Sequence, residues 1–233
     1  MRHAFAQHSS KLALVTLGVI ASFTAAWLAL AADTSNFTQT ISPGVLRVDI
    51  VNASSSYAAV GSPTMAMSPT TFSFNCVTST GTFSSSTEAV YVENPDAADN
   101  GWSLSIAAAG GATAVWDSAG IDMDFNDPTT SGGCTTDGGD ADSLAGRMQI
   151  DPTGILMATG TCGTCGTTAL VRQAAGQFSQ GVTDSITLIQ AGSTSTDIGD
   201  WTFRNIVIRQ SIPAQQAAGN DYDISMMLSM LAS

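Results

Sequence analysis

Along most of this chain apolar side chains recur at every second position in short runs, and no segment carries a convincing stripe at helical spacing. In Val45–Val51, Leu46, Val48 and Ile50 alternate with Arg47 and Asp49. Trp102, Leu104 and Ile106 alternate with Ser103 and Ser105, and Tyr222, Ile224, Met226, Leu228 and Met230 share one parity near the end. Successive side chains of a strand point to opposite faces, so each run reads as a half-buried strand of an antiparallel sheet. Thr70–Cys76, Glu88–Glu93, Ala112–Trp116, Gly146–Ile150, Ile155–Ala158 and Thr183–Gln190 are further strand candidates. Trp201–Gln210 changes phase, because Trp201 and Phe203 have one parity and Ile206 and Ile208 the other. One extra residue near Arg204-Asn205 restores a common face, which predicts a β-bulge there.

Turn material separates these runs: Ser42-Pro43-Gly44, Asn94-Pro95-Asp96, Asp99-Asn100-Gly101, Gly110-Gly111 and Asp151-Pro152. Many short strands with this punctuation predict an all-β fold, an antiparallel two-sheet sandwich of immunoglobulin-like or jelly-roll-like type. Val171–Phe178, VRQAAGQF, is a short helix candidate that Gly176 weakens. The longest loop candidate is the acidic, Gly-rich stretch 122–142, and loops of this length in a compact domain are usually functional or disordered.

The first segment speaks to location. Arg2, His3, His8 and Lys11 precede an uncharged run from Leu12 to Ala32, which ends in the A-x-A site Ala29-Leu30-Ala31. Basic start, apolar run and small-residue site predict a secretory signal peptide over residues 1–31, in a helix. The alternative is an uncleaved anchor, since the run approaches the ~20 residues that span a bilayer. Both place residues 32–233 outside the cytoplasm, secreted or at the cell surface, as one domain. Contact with a membrane is expected only through the N-terminal segment, if it is retained.

Every lysine and histidine lies within the first eleven residues, and beyond them the basic residues are five arginines. A domain without imidazole lacks the commonest general base near neutral pH and the commonest metal ligand. Without an ammonium it lacks Schiff-base chemistry and the usual phosphate-loop lysine. With 19 acidic against 7 basic residues, the chain carries a formal charge of −12. Such a surface repels nucleic acid, whose phosphates need neutralising cations. A carboxylate pair can still hydrolyse a glycoside, but Glu88 and Glu93 have opposite parity and nothing marks a site. The chain is therefore expected not to be an enzyme.

Asp122, Asp124, Asn126 and Asp127, followed by Asp137, Asp140 and Asp142, offer closely spaced hard oxygens in Gly-permitted turns. That permits an irregular extracellular Ca²⁺ loop, the one cofactor the residues suggest. An EF-hand is rejected, because the twelfth position is Gly133 rather than a bidentate glutamate. The four cysteines, Cys76, Cys134, Cys162 and Cys165, suggest two structural disulfides in an exported chain. Three connectivities are open. We expect one cysteine of the C-x-x-C pair to staple Cys134 and the acidic loop, and the other to reach Cys76. Trp102 and Trp201 are expected in the core.

The stretch Asn100-Gly101-Trp102-Ser103-Leu104-Ser105-Ile106 carries a W-x-L tripeptide on a strand after a turn. Gly199-Asp200-Trp201-Thr202-Phe203 then leads to Ile212-Pro213-Ala214-Gln215-Gln216-Ala217-Ala218-Gly219 and the terminal strand Tyr222–Leu231. This layout resembles the WxL-domain proteins of Gram-positive cell surfaces, with Trp102 and Leu104 as the motif. The family's second W-x-L is absent here, where Met226-Met227-Leu228 stands. The resemblance implies an exported, all-β, non-catalytic surface protein held non-covalently at the envelope. The stretch Asn36-Phe37-Thr38 through Pro43-Gly44-Val45-Leu46-Arg47-Val48 is similar to the N-terminal strand of camelysin-like biofilm-fibre proteins. That similarity implies strand exchange between subunits. Three functions follow as expectations: a surface module binding cell-wall glycan or other surface proteins, a self-associating fibre or layer subunit, and a calcium-dependent adhesin.

Overall fold

The computed structural model describes residues 39–40, 42, 44–54, 56–95, 100–128, 134, 142–193 and 197–232. The expected signal helix or anchor over residues 1–31 lies outside them. Among the described residues no helix is long and apolar enough to cross a membrane.

Among the described residues the fold is all-β, with three four-stranded antiparallel sheets where two were expected. The first contains β1 (Arg47–Asn52), β3 (Glu88–Asn94), β10 (Gly199–Arg204) and β6 (Leu156–Thr159), in that order. The second contains β2 (Val77–Phe83), β11 (Ile206–Ile212), β5 (Arg147–Asp151) and β8 (Gly176–Gln177). The third contains β12 (Met226–Ala232), β4 (Trp102–Ala108), β9 (Ser185–Ala191) and β7 (Leu170–Arg172).

The phase slip at Arg204-Asn205 has a larger consequence than the expected bulge. Asn205, at φ +66°, separates β10 from β11, and the chain passes there from the first sheet into the second. Asparagine tolerates this left-handed conformation better than most residues. Its N–H donates to the Ser84 carbonyl at 2.8 Å and its Nδ2 to Gly154 at 3.0 Å. The neighbouring strands break at the same level. Phe83 pairs Ile206 while Val90 pairs Phe203, and Asp151 pairs Val207 while Leu156 pairs Arg204. The bulge lies elsewhere, where β4 meets β9 between Leu104 and Ser105. The extra residue there is Leu188, so adjacent Leu188 and Ile189 are both fully buried.

Alternation translates into burial. In β4 every odd-placed side chain from Trp102 to Ala108 is buried and the intervening ones are half-buried. Trp102 stacks obliquely on Trp201 at 5.5 Å and lies 6.3 Å from Phe203, which joins the third sheet to the first. Phe125 meets Phe178 edge-on at 5.1 Å. Buried residues of all three sheets form one cluster.

Four local expectations are corrected. Val171–Phe178 is not helical but contributes to β7 and β8, because its backbone pairs with β9 and β5. Thr70–Cys76 is an extended strap, with the true strand beginning at Val77. Ala112–Trp116 holds part of a 3-10 turn, Gly111–Thr113, and an isolated bridge from Trp116 to Met123. The terminal strand starts at Met226, not Tyr222.

Candidate functional site

A cleft of about 580 Å³ opens between the strap Met65–Ser73 and the turn Ile212–Tyr222, with Trp116 and Met123 among its lining. The strap runs along the outer edge of β2. Ser68 N–H donates to Thr80 O at 2.8 Å, Ser79 Oγ donates back to Ser68 O at 2.6 Å, and Met67 bridges Gly81. A side chain at position 81 would come within 2.7 Å of Met67 Sδ, so glycine lets the strap lie against the sheet. The strap is tied at its far end by Gln215 N–H donating to Ser73 O at 2.8 Å.

The opposite wall is organised by Tyr222 and Gln216. The Tyr222 hydroxyl lies 2.8 Å from the carbonyls of Ile121 and Ala217 and accepts from Gln216 Nε2 at 2.9 Å. Gln216 Nε2 also reaches the carbonyls of Ile121 and Asp122. Between the walls, Trp116 Nε1 donates to Gln210 Oε1 at 2.9 Å, and Gln210 Nε2 donates to the carbonyls of Asp124 and Ser211. The indole is thereby fixed in place. Phe72 and Phe74 are 54% and 75% exposed and meet edge-on at 5.3 Å. Their alternation led us to expect a strand, yet both rings face away from the core.

Among the described residues no charged side chain lines the cleft. On a chain with 19 carboxylates that is informative. Aromatic rings, methionines and amides leave no ion to desolvate when a neutral ligand enters.

The structure pairs Cys76 with Cys134 and Cys162 with Cys165, which corrects the expected crossed connectivity. The C-x-x-C loop follows β6 and is held by Asp200. Asp200 Oδ1 accepts from Cys162 N–H at 2.7 Å; Oδ2 accepts from Thr161 N–H at 2.6 Å, Thr161 Oγ1 at 2.9 Å and Tyr91 Oη at 2.9 Å. Burial alone raises the carboxyl, but these hydrogen bonds outweigh it and hold Asp200 below the ordinary carboxylate value. Burial, then the bond to Asp200, pushes the Tyr91 phenol up. Gly199 is required beside the loop, since a Cβ there would fall 2.0 Å from Cys165 Sγ.

Asp200→Asn turns an amide N–H₂ or a single carbonyl toward donors that now share two anionic oxygens. We expect a loss of about 2 kcal/mol at neutral pH, from charge-assisted bonds removed in a buried setting. Because the folded carboxyl titrates below the ordinary 3.8, its contribution is complete above that value and is lost as pH falls through the folded value. Urea melts of parent and variant should thus differ at pH 7 and converge under acid; a constant difference down to the acid end would contradict this.

The expected calcium ligands do not converge among the described residues, where the sole three-ligand grouping is Cys162, Cys165 and Asp200. With its two sulfurs joined to each other, that trio is a staple capped by a carboxylate. Asp122 Oδ1 accepts from Ser118 N–H, Asp124 Oδ1 from Phe125 and Asn126 N–H, and Asp142 Oδ1 from Leu144 N–H. Asn126 Nδ2 donates to Ala112 O. Asp137 and Asp140 lie outside the described residues. The start of the expected loop is buried. Met123 and Phe125 are buried, and Asp124, Asn126 and Asp127 are buried with them. The acids that do gather come from distant segments: Asp117 is held above its ordinary value chiefly by Asp122, with burial, Asp223 and Asp221 adding to it.

Trp102 and Leu104, the W-x-L residues, are fully buried. The residue that sequence reading missed here is Asp197. Its carbonyl accepts from Trp102 Nε1 at 3.0 Å and Asn94 Nδ2 at 2.8 Å, and its Oδ2 accepts from Gly101 N–H at 2.7 Å. Nothing in its neighbourhood of Thr and Ser announced a buried carboxylate. No family model, no curated protein and no solved structure matches this chain.

Proposed function

We propose that this chain is an exported, non-catalytic surface module, a two-layer β-sandwich that binds uncharged cell-wall glycan in the cleft between the strap and the Ile212–Tyr222 turn. The uncharged, aromatic and amide-rich lining carries this reading. Sugar rings stack their C–H faces on aromatic side chains and satisfy their hydroxyls with amides, and both groups are present here. The two disulfides fit an oxidising compartment, in keeping with the basic and apolar N-terminal segment. The run of sheets from β10 into β11 and the packing of Trp102 on Trp201 support two facing layers.

Retention on purified cell-wall sacculi and affinity for neutral wall oligosaccharides test it. Phe72→Ala and Asn220→Ala alter exposed cleft residues and should leave the melt unchanged. Each is expected to weaken binding roughly tenfold, the effect of one lost stacking or hydrogen-bonding contact. Absence of binding by the parent, or equal binding by both variants, would overturn the proposal.

A further inference from the structure

We propose that β12 is a self-recognition edge, pairing antiparallel with β12 of a second copy about a two-fold axis at Ser229. This proposal stands apart from the glycan cleft and rests on different residues.

β12 forms a ladder with β4 on one side, and no ladder occupies its other side among the described residues. The direction of its backbone groups follows from one bond. Ala109 N–H donates to Ser225 O at 2.8 Å, and the register continues from Met226 opposite Ala108 to Ala232 opposite Trp102. Hydrogen-bonded and non-bonded pairs alternate in an antiparallel ladder, so Met227, Ser229 and Leu231 spend their backbone groups on β4. Met226, Leu228, Met230 and Ala232 therefore aim their N–H and C=O outward.

Two other edges are covered by their own chain. Asn52 N–H donates to Ala58 O and Val60 N–H to Ile50 O along β1, and the Met65–Ser68 strap lies along β2. Among the described residues no such backbone pairing covers the outer side of β12, although β1 approaches the strand, and β12 lacks the charge, proline or bulge by which proteins blunt an exposed edge. It is apolar on both faces. Met227 and Leu231 are 51% and 71% exposed, and Leu228 and Met230 on the opposite face are half-buried.

The strand is also complementary to itself. Positions equidistant from Ser229 are Leu228 with Met230, Met227 with Leu231, and Met226 with Ala232. In that register the outward-pointing Leu228 of one copy meets the outward-pointing Met230 of the other, as a hydrogen-bonded pair requires. Ser229 faces its own copy in the closer, non-bonded pair, where a small side chain suits the approach. Such an isologous contact closes after two copies. The acidic chain can meet itself here because β12 carries no charge, and Asp221 and Asp223 precede the paired stretch.

The test uses the full chain. Ser229→Cys should form an intermolecular disulfide on mild oxidation, since directly opposed Cβ atoms lie ~5 Å apart. Met227→Cys, opposite Leu231, should crosslink at least tenfold less. In sedimentation experiments Met227→Lys/Leu231→Lys sets ammonium groups against each other and should raise the dimer dissociation constant at least 100-fold. Since both side chains are exposed, that variant should keep the parent's far-ultraviolet spectrum and melt. A parent monomeric at high concentration, or an association undiminished in the double lysine variant, overturns the proposal. So does a Ser229→Cys variant that crosslinks no better than Met227→Cys.

Discussion

Replacing Trp102 by alanine lowers the unfolding free energy by about 4 kcal/mol, the cost of deleting a large buried aromatic side chain. Trp102 is fully buried and contacts Trp201 and Phe203 of the first sheet. Its Nε1 also donates to Asp197 O at 3.0 Å. The substitution thus empties the centre of the core and leaves a buried carbonyl with one donor fewer, from Asn94. Trp102→Phe keeps most of the volume and loses the donor, so it should cost about 2 kcal/mol. Denaturant melts of the three proteins check the order. Equal midpoints for parent and alanine variant would show that Trp102 is not the centre of the packing.

Removing the Cys76–Cys134 disulfide by double alanine substitution lowers stability by about 4 kcal/mol, against about 2 kcal/mol for Cys162–Cys165. The sequence separations are 58 and 3, and the entropy withheld from the unfolded chain grows with the logarithm of the loop closed. The first bond joins the strap, just before β2, to the segment beyond Asp127. Its loss should therefore also loosen the strap and weaken the proposed glycan binding more than loss of the second. Equal destabilisation by the two double variants would reverse this ranking.

The strands were the most legible part of the chain. Val45–Val51, Glu88–Glu93, Trp102–Ile106, Gly146–Ile150, Ile155–Ala158 and Thr183–Gln190 all overlap observed strands. Alternation is a local signal, because one pleated face meets the core and the other does not. It misled at Thr70–Cys76, where the same alternation belongs to a strap whose phenyl rings face solvent and the cleft. β2, VTSTGTF, escaped notice because Gly81, Ser79 and Thr80 supply little apolar contrast. β7 and β8 were too short to show a period.

The candidate site was far less legible. Phe72, Trp116, Gln216 and Tyr222 are distant in sequence and meet because the strap and the Ile212–Tyr222 turn flank the same end of the sheets. The visible cluster, Asp122–Asp142, suggested a metal loop, and among its opening residues Asp122 Oδ1 and Asp124 Oδ1 accept backbone N–H groups. Adjacency in sequence says little about where carboxylate oxygens point.

By itself the sequence determined an all-β chain with cysteines suited to an oxidising compartment, an acidic domain without imidazole or ammonium, and an odd phase at Arg204-Asn205. These are properties of composition and of local period. Only the tertiary structure decided that the phase slip sends the chain into another sheet, which cysteines pair, and that a cleft whose described lining is uncharged forms among so many acids. Each of those depends on contacts between distant segments, whose geometry is set by the packing of the whole core rather than by any single run of residues.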